Sequence, residues 1–140
     1  MADNNVFFEI QDLVIKFGPP RRCHPVVKGV NLSVRKGEVL GLVGESGCGK
    51  SVTMLSSMGL LPQQNCQVEG HIYLDGQDLT KLTPKEWQKI RGKRISMVFQ
   101  EPMTSLNPVF TIGNQLEEML AQHEGLTGKE NKEKCLELLS

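Results

Sequence analysis

Residues 44–51 of this 140-residue chain combine glycines, a lysine and a serine at a spacing that can bind phosphate. Their sequence, GESGCGKS, matches all four fixed positions of the phosphate-binding loop (P-loop) pattern G-x-x-x-x-G-K-[ST]. Gly44, Gly47 and Gly49 permit backbone conformations in which N–H groups turn inward as a nest for anionic oxygens. A helix that begins near Lys50 would add the positive end of its dipole. The octet therefore predicts a site for the phosphates of a nucleotide.

Two side chains of this loop have predicted roles of their own. Lys50 would reach the β- and γ-phosphates of ATP as a point charge and act in catalysis, and the Ser51 hydroxyl would be a ligand to Mg²⁺. Cys48 stands inside the loop, so its alkylation is expected to block nucleotide entry. The predicted nucleotide-binding residues of the loop and the first helical turn are Gly44, Glu45, Ser46, Gly47, Cys48, Gly49, Lys50, Ser51 and Val52.

The residues on either side of the loop supply the elements that must position it. Residues 39–43, VLGLV, form a short apolar run that predicts a buried strand. Residues 52–58 carry apolar side chains at helical spacing and predict a helix. A glycine-rich turn that happens to precede a lysine is the competing interpretation, and the strand–loop–helix context favours the P-loop.

Composition narrows the functional classes. The chain has 16 Lys and Arg against 16 Asp and Glu, and this zero net charge gives no support to a nucleic-acid-binding face. No segment approaches the apolar length of a membrane span, and the polar N-terminus lacks the pattern of a signal peptide. The chain is expected in the cytoplasm, where it would touch a membrane only through a partner. The four cysteines form no C-x-x-C pair, which predicts free thiols rather than a metal site.

The remaining pattern predicts antiparallel strands early in the chain and helices late in it. A phase slip in the first strand predicts a bulge near Asp12, and Asp75-Gly76 predicts a hairpin turn. The strands are predicted at residues 6–17, 26–34, 68–74 and 94–100. The helices are predicted to begin at a capping box on Thr83 and Glu86, at a cap on Thr111, and at a second capping box on Thr127 and Glu130.

A second motif lies downstream of the P-loop. Residues 96–110, SMVFQEPMTSLNPVF, describe a strand that ends in Gln100 and enters a loop containing proline and asparagine. Residues 98–116, VFQEPMTSLNPVFTIGNQL, together with residues 35–53, 74–82 and 91–100, resemble the oligopeptide/dipeptide/nickel branch of ATP-binding cassette (ABC) importers. The resemblance covers nearly the whole chain, and the P-loop together with MVFQEPMTSLNP makes it specific.

The resemblance implies a fold and further site residues. The fold would be α/β, the N-terminal portion of an ABC-type P-loop NTPase: residues 1–100 hold an antiparallel β-subdomain and the P-loop core, and residues 101–140 begin the helical subdomain. Gln100 would take the Q-loop position, where it contacts Mg²⁺ and the attacking water in catalysis. The loop from 101 to 110 would face the membrane subunit. Phe17 stands where the family places an aromatic residue that stacks on adenine, although a phenylalanine at a strand end can equally be part of the core.

The resemblance also implies a function and partners. The chain would be the ATP-binding subunit that powers a peptide-type importer by binding and hydrolysing ATP with Mg²⁺. It would form a head-to-tail dimer with a second ATPase subunit and dock peripherally on the permease subunits, at the cytoplasmic face of the plasma (inner) membrane. The transported solute is not encoded in this subunit; peptide comes first by resemblance, and nickel or another small solute comes next.

Several family motifs do not occur in the 140 residues, namely the LSGGQ-type signature, the Walker B strand with its Asp and catalytic Glu, and the switch His. Leu126-Thr127-Gly128 lacks the remainder of a signature, and Asp75 is followed by a turn glycine. The chain is therefore interpreted as the N-terminal part of a larger domain. Alone, it is expected to have negligible ATPase activity and poor solubility. The alternative function is a truncated, non-catalytic nucleotide-binding or interaction module; a P-loop kinase or GTPase is disfavoured, because no lid arginines or guanine-specificity motif occur.

Overall fold

A computed structural model describes residues 5–19, 21–62, 64–100 and 106–140. The chain divides into two compact units, Met1–Trp87 and Gln88–Ser140. The functional division at residue 100 stays a prediction. No helix within the described ranges is long and apolar enough to cross a membrane.

The first unit is built on a four-stranded antiparallel sheet with the order β2-β1-β3-β4. Its strands are β1 (Val6–Phe17), β2 (His24–Arg35), β3 (Cys66–Leu74) and β4 (Gln77–Asp78). This confirms the strands predicted at 6–17, 26–34 and 68–74. The side chains that are almost completely buried in this unit are Ile10, Leu13, Ile15, Ile72 and Leu79.

A bulge in β1 fixes the register of three strands. Asp12 has a φ of 49°, and the pairing of β1 with β2 shifts between Ile10 and Leu13, which confirms the predicted phase slip. Asn31 on β2 accepts a hydrogen bond from the Asp12 N–H at 2.8 Å and donates one to Asp12 Oδ1 at 3.1 Å. On β3, Gly70 has a φ of +93°, and a Cβ there would lie 2.5 Å from the Asp12 carbonyl oxygen. The bulge therefore requires glycine at position 70.

Local turn chemistry also follows the sequence. Asp75 and Gly76, with φ values of 49° and 78°, join β3 to β4 as a type I′ turn, as predicted. The capping box before the helix α2 (Pro84–Ile90) is confirmed. The Thr83 N–H donates to Glu86 Oε2 at 2.7 Å, and the Glu86 N–H donates to Thr83 Oγ1 at 3.4 Å.

The second unit contains the helices α3 (Ile112–Glu124) and α4 (Gly128–Leu139). Thr111 caps α3 as predicted, because its Oγ1 accepts from the Asn114 N–H at 3.2 Å. The capping box predicted on Thr127 is wrong, since Thr127 makes no side-chain cap bond. Thr127 is nevertheless the N-cap residue with extended backbone, but Gly128, the first residue of α4, has a φ of +62°, outside the right-handed helical range on which the reciprocal bonds of a capping box depend.

Two of the predicted strands do not form among the described residues. Residues 39–43 adopt no strand, and Val39 and Val43 are 96% and 91% exposed. In the segment 94–100 only a single bridge between Arg91 and Ile95 forms. Both segments carry apolar side chains on both faces, as strands of a parallel sheet do when neighbours cover them. A strand exists only by pairing, and no described segment pairs with either of them as a strand.

Candidate nucleotide-binding site

The phosphate loop leads directly into the helix α1 (Lys50–Ser57), as the sequence predicts. Gly47 and Gly49 have φ values of +81° and +95°, which confirms that the loop uses the left-handed region at these two positions. Gly44 does not have a positive φ, so its predicted conformational role is wrong. A Cβ at Gly44 would lie 2.8 Å from Cys48 Sγ, so a side chain there would require the exposed Cys48 side chain to move.

Strand β2 sets the point where the loop becomes a helix. Gly49 is buried, and a Cβ there would lie 3.1 Å from Val27 Cγ2 and 3.2 Å from the Val26 carbonyl oxygen. Val27 is itself buried. The backbone of the loop therefore rests directly on the sheet, and a Cβ at position 49 would require Val26 and Val27 to move by a few tenths of an ångström. Neither valine stands out in the sequence, because nothing local marks them as supports of a loop more than 20 residues later in the chain.

The start of α1 leaves backbone donors for a ligand. Thr53 is the first residue whose N–H bonds back along the helix, to the Gly49 carbonyl at 2.9 Å. Its hydroxyl donates to the same carbonyl at 2.9 Å, and Thr53 is buried. Among the described residues, the N–H groups of Gly47, Gly49, Ser51 and Val52 have no backbone acceptor, and the Lys50 N–H bonds only the Cys48 sulfur. These donors and the helix dipole form the anion-binding end of α1.

Lys50 folds back over this loop. Its ammonium donates to the carbonyl oxygens of Gly44 at 2.6 Å and Glu45 at 2.7 Å, and to Cys48 Sγ at 3.3 Å. Residues 44–48 are exposed, and a Cβ at Gly47 would meet no atom within 4 Å. A positive charge thus lies beside an open loop with free donors, an arrangement that fits a polyphosphate.

The same turn fits a magnesium ion held together with phosphate oxygens. Ser51 is exposed in the first turn of α1, and its hydroxyl has no hydrogen-bond partner within the described ranges. In the part of the chain that the structure describes, no group of three or more His, Cys, Asp or Glu residues could hold a metal. The Ser51 hydroxyl would supply one protein ligand, and water and the phosphates of the nucleotide would supply others, because Mg²⁺ keeps several waters and shares substrate phosphates.

The electrostatics of the loop mark Cys48. The hydrogen bond from the Lys50 ammonium lowers the pKa of the Cys48 thiol and outweighs the opposing effect of desolvation. Two other cysteines shift in the opposite direction, because burial raises the pKa of Cys66 and of Cys135. At neutral pH the loop cysteine therefore holds the larger thiolate fraction, and it is exposed while Cys135 is buried.

We expect N-ethylmaleimide at pH 7 to alkylate Cys48 about tenfold faster than Cys66, because the thiolate is the reacting species. Alkylation should abolish ATP binding, and ATP should protect the thiol. The pH at which the rate is half-maximal should move upward in Lys50→Ala, because the bond that lowers the pKa is lost. Mass spectrometry of the modified peptides measures each rate. Cys48→Ser is the control, and retained ATP binding after complete alkylation of Cys48 would contradict the prediction.

The other predicted residues lie outside the loop. Phe17 is half-buried at the end of β1, opposite His24 on β2 and Cys66 on β3, and its contact with adenine stays a prediction. Gln100 is exposed in an irregular segment of the second unit, and its contact with Mg²⁺ and water also stays a prediction. Of the predicted membrane-facing loop, residues 101–105 lie outside the described residues.

The chain is similar to known proteins in both sequence and structure. Residues 27–140 match the sequence model of a family described as ABC transporter. The chain belongs to the ABC transporter family. It is 45% identical over 136 residues to the oligopeptide transport ATP-binding protein AppD of Bacillus subtilis, which covers 96% of this chain and 42% of AppD. It is 42% identical over 139 residues to AmiE of Streptococcus pneumoniae serotype 4, another oligopeptide transport ATP-binding protein, which covers 99% of this chain and 39% of AmiE. This ABC-family chain therefore spans about two fifths of the length of these curated relatives.

Solved structures agree with the family. The ATP-binding cassette MJ0796 in a dimeric, post-hydrolysis state bound to ADP and Pi superposes with a TM-score of 0.71 at 25% identity, over 94% of this chain and 55% of MJ0796. A second dimeric structure of MJ0796, a bacterial ABC transporter cassette, gives 0.74 at 27% identity over the same shares. The predicted fold class, the N-terminal portion of an ABC-type P-loop NTPase, is confirmed.

Proposed function

We propose that this chain is the nucleotide-binding part of an ATPase subunit that powers a peptide-type importer. The observation that carries the proposal is the Lys50 ammonium, which lies over an exposed loop in which the N–H groups of Gly47, Gly49, Ser51 and Val52 have no backbone acceptor among the described residues. The names of the relatives support the solute, because AppD and AmiE are oligopeptide transport ATP-binding proteins and DppD of Bacillus subtilis is a dipeptide transport ATP-binding protein.

Each residue of the loop has a defined task in this function. Residues 47–52 donate backbone N–H groups to the phosphates, and Lys50 exchanges its two carbonyl acceptors for β- and γ-phosphate oxygens. Ser51 holds Mg²⁺, which when bound neutralises charge on the same phosphates. Gln100 orients the attacking water, and Phe17 stacks on the adenine.

The proposed partners follow from the same assignment. A second ATPase subunit completes the nucleotide site in a head-to-tail dimer, and the dimeric MJ0796 cassettes support such an assembly. Membrane-spanning permease subunits receive the loop at residues 101–110, so that ATP binding is coupled to transport at the cytoplasmic face of the membrane.

A specific observation supports the alternative, a non-catalytic nucleotide-binding or interaction module. Residues 39–43 and 94–100 remain unpaired as strands within the described ranges, although their composition is that of a covered sheet. The 140 residues also contain no signature or Walker B motif. Such a chain can bind phosphate through α1 while it lacks the Walker B Asp that helps to hold the metal and the Glu that polarises water.

Uptake in cells that lack the gene decides between these functions. We expect uptake of labelled di- and oligopeptides to fall at least about tenfold and to return with the wild-type gene but not with Lys50→Ala. Loss of nickel uptake with normal peptide uptake would overturn the peptide assignment. Nucleotide binding by the purified chain with no change in the uptake of either solute would support the non-catalytic module.

A further inference from the structure

The segment before α3 is a well-ordered turn. Asn107, Pro108, Val109 and Phe110 form a β-turn in which the Phe110 N–H donates to the Asn107 carbonyl at 3.3 Å, with proline at the favoured second position. The Asn107 side chain also accepts from the Val109 N–H at 3.0 Å, which adds an Asx turn. We refer to residues 107–110 as the 107–110 turn.

One side chain from α3 ties this turn to the helix. Gln115 Oε1 accepts from the Asn107 N–H at 2.9 Å, and Gln115 Nε2 donates to the carbonyl oxygens of Asn107 at 3.0 Å and Phe110 at 3.1 Å. Both amide donors and the amide acceptor of Gln115 are therefore used on a single turn. Side-chain amides that bond backbone at three points restrict the conformations of that backbone far more than one bond does.

The same turn exposes apolar side chains. Val109 is 82% exposed and Phe110 is 55% exposed, and Leu106 and Ile112 on either side are exposed as well. No charged residue occurs between Leu106 and Ile112. Three backbone polar groups of the turn are satisfied by Gln115, while its apolar side chains remain in solvent. A rigid, uncharged and apolar projection is typical of a surface that binds a partner.

We propose that Gln115 is a positioning residue: it holds the 107–110 turn in one conformation, so that Val109 and Phe110 are presented to an apolar surface of the membrane-spanning subunit. The inference rests on the proposed function, in which this turn faces that subunit. An uncharged, apolar turn can pack against an apolar patch of the partner, and the fixed conformation lowers the entropy lost on docking.

Gln122 provides an internal comparison. It lies seven residues after Gln115 on the same face of α3, is exposed, and makes no hydrogen bond within the described part of the chain. Position on the helix therefore does not explain the three bonds of Gln115. The turn that precedes α3 explains them, because it lies within reach of Gln115 and out of reach of Gln122.

The test uses the intact protein and its membrane-spanning subunits in lipid nanodiscs. Gln115→Met keeps the length of the side chain and removes all three bonds, Gln115→Glu keeps the acceptor for the Asn107 N–H, and Gln122→Met is the matched control. Hydrogen exchange of residues 106–111 measures how often the turn opens, the Kd for the membrane subunits measures docking, and the Kd for ATP measures the nucleotide site.

We expect Gln115→Met to raise both the exchange rate and the membrane-subunit Kd about tenfold, with Gln115→Glu intermediate. Gln122→Met should match the wild type, and all variants should bind ATP equally.

The outcomes separate the two proposals. If the wild-type protein does not bind the membrane subunits, the proposed function fails whatever Gln115 does. If the wild type binds them and Gln115→Met binds equally tightly, the positioning role is overturned. Unchanged hydrogen exchange of residues 106–111 in Gln115→Met would also overturn the positioning role, because the turn would then not depend on the bonds from Gln115. If Gln115→Met does not fold, Gln115→Glu provides the test. Faster hydrogen exchange of the turn in Gln115→Glu together with a wild-type Kd for the membrane subunits would also overturn the positioning role.

Discussion

Replacement of Lys50 by alanine is expected to weaken ATP binding by the 140-residue chain about a hundredfold. The ammonium already lies over the loop, 2.6 Å from the Gly44 carbonyl and 2.7 Å from the Glu45 carbonyl. Its removal takes away the only side-chain cation that the described residues place on these carbonyls, and charge-assisted bonds to phosphate are about twice as strong as neutral ones. Isothermal titration with ATP in the presence of Mg²⁺ measures the change.

The control for Lys50→Ala is Lys85→Ala. Lys85 is an exposed lysine of the same compact unit, on α2, so its replacement removes the same formal charge without touching the loop. We expect its ATP affinity to stay within twofold of the wild type. Equal affinity in Lys50→Ala and the wild type would contradict the assignment of the phosphate site. Phosphate release by the wild-type chain that disappears in Lys50→Ala would contradict the expected lack of turnover.

The Gly70→Ala substitution is expected to lower the free energy of unfolding by about 3–4 kcal/mol. A Cβ at position 70 would lie 2.5 Å from the Asp12 carbonyl oxygen and 2.6 Å from the Gln11 carbonyl oxygen, both on the bulged strand β1. Backbone atoms cannot move aside as the end of a side chain can, so the sheet itself must distort. Urea denaturation followed by circular dichroism measures the loss.

Gly29→Ala separates steric clash from backbone strain in this test. Gly29 also has a positive φ, +74°, but a Cβ there would meet no atom within 4 Å. Its replacement should cost only about 1–2 kcal/mol, the penalty of a left-handed conformation. Equal losses in the two variants would mean that φ alone accounts for Gly70, and that β1 and β3 do not approach as closely as the bulge geometry requires.

Features that depend only on residues adjacent along the chain could be predicted from the sequence. The phosphate loop, the slip at Asp12, the turn at Asp75-Gly76 and the capping box at Thr83 are each specified by a few consecutive side chains and their own backbone. The strands predicted at 39–43 and 94–100 failed for the opposite reason. Apolar composition makes a segment able to join a sheet, and only a pairing partner makes it a strand.

The sequence by itself determined that this ABC-family chain has a loop and helix able to bind phosphate, because the residues that do so are contiguous. The tertiary structure alone showed that Gly49 lies against Val27 and Val26 of strand β2, where a Cβ would be crowded, and that a side chain at Gly44 would displace Cys48. It alone showed that Gln115 holds the 107–110 turn. Such contacts join residues through the folded backbone, so their distances depend on how strands and helices pack and not on the order of residue types.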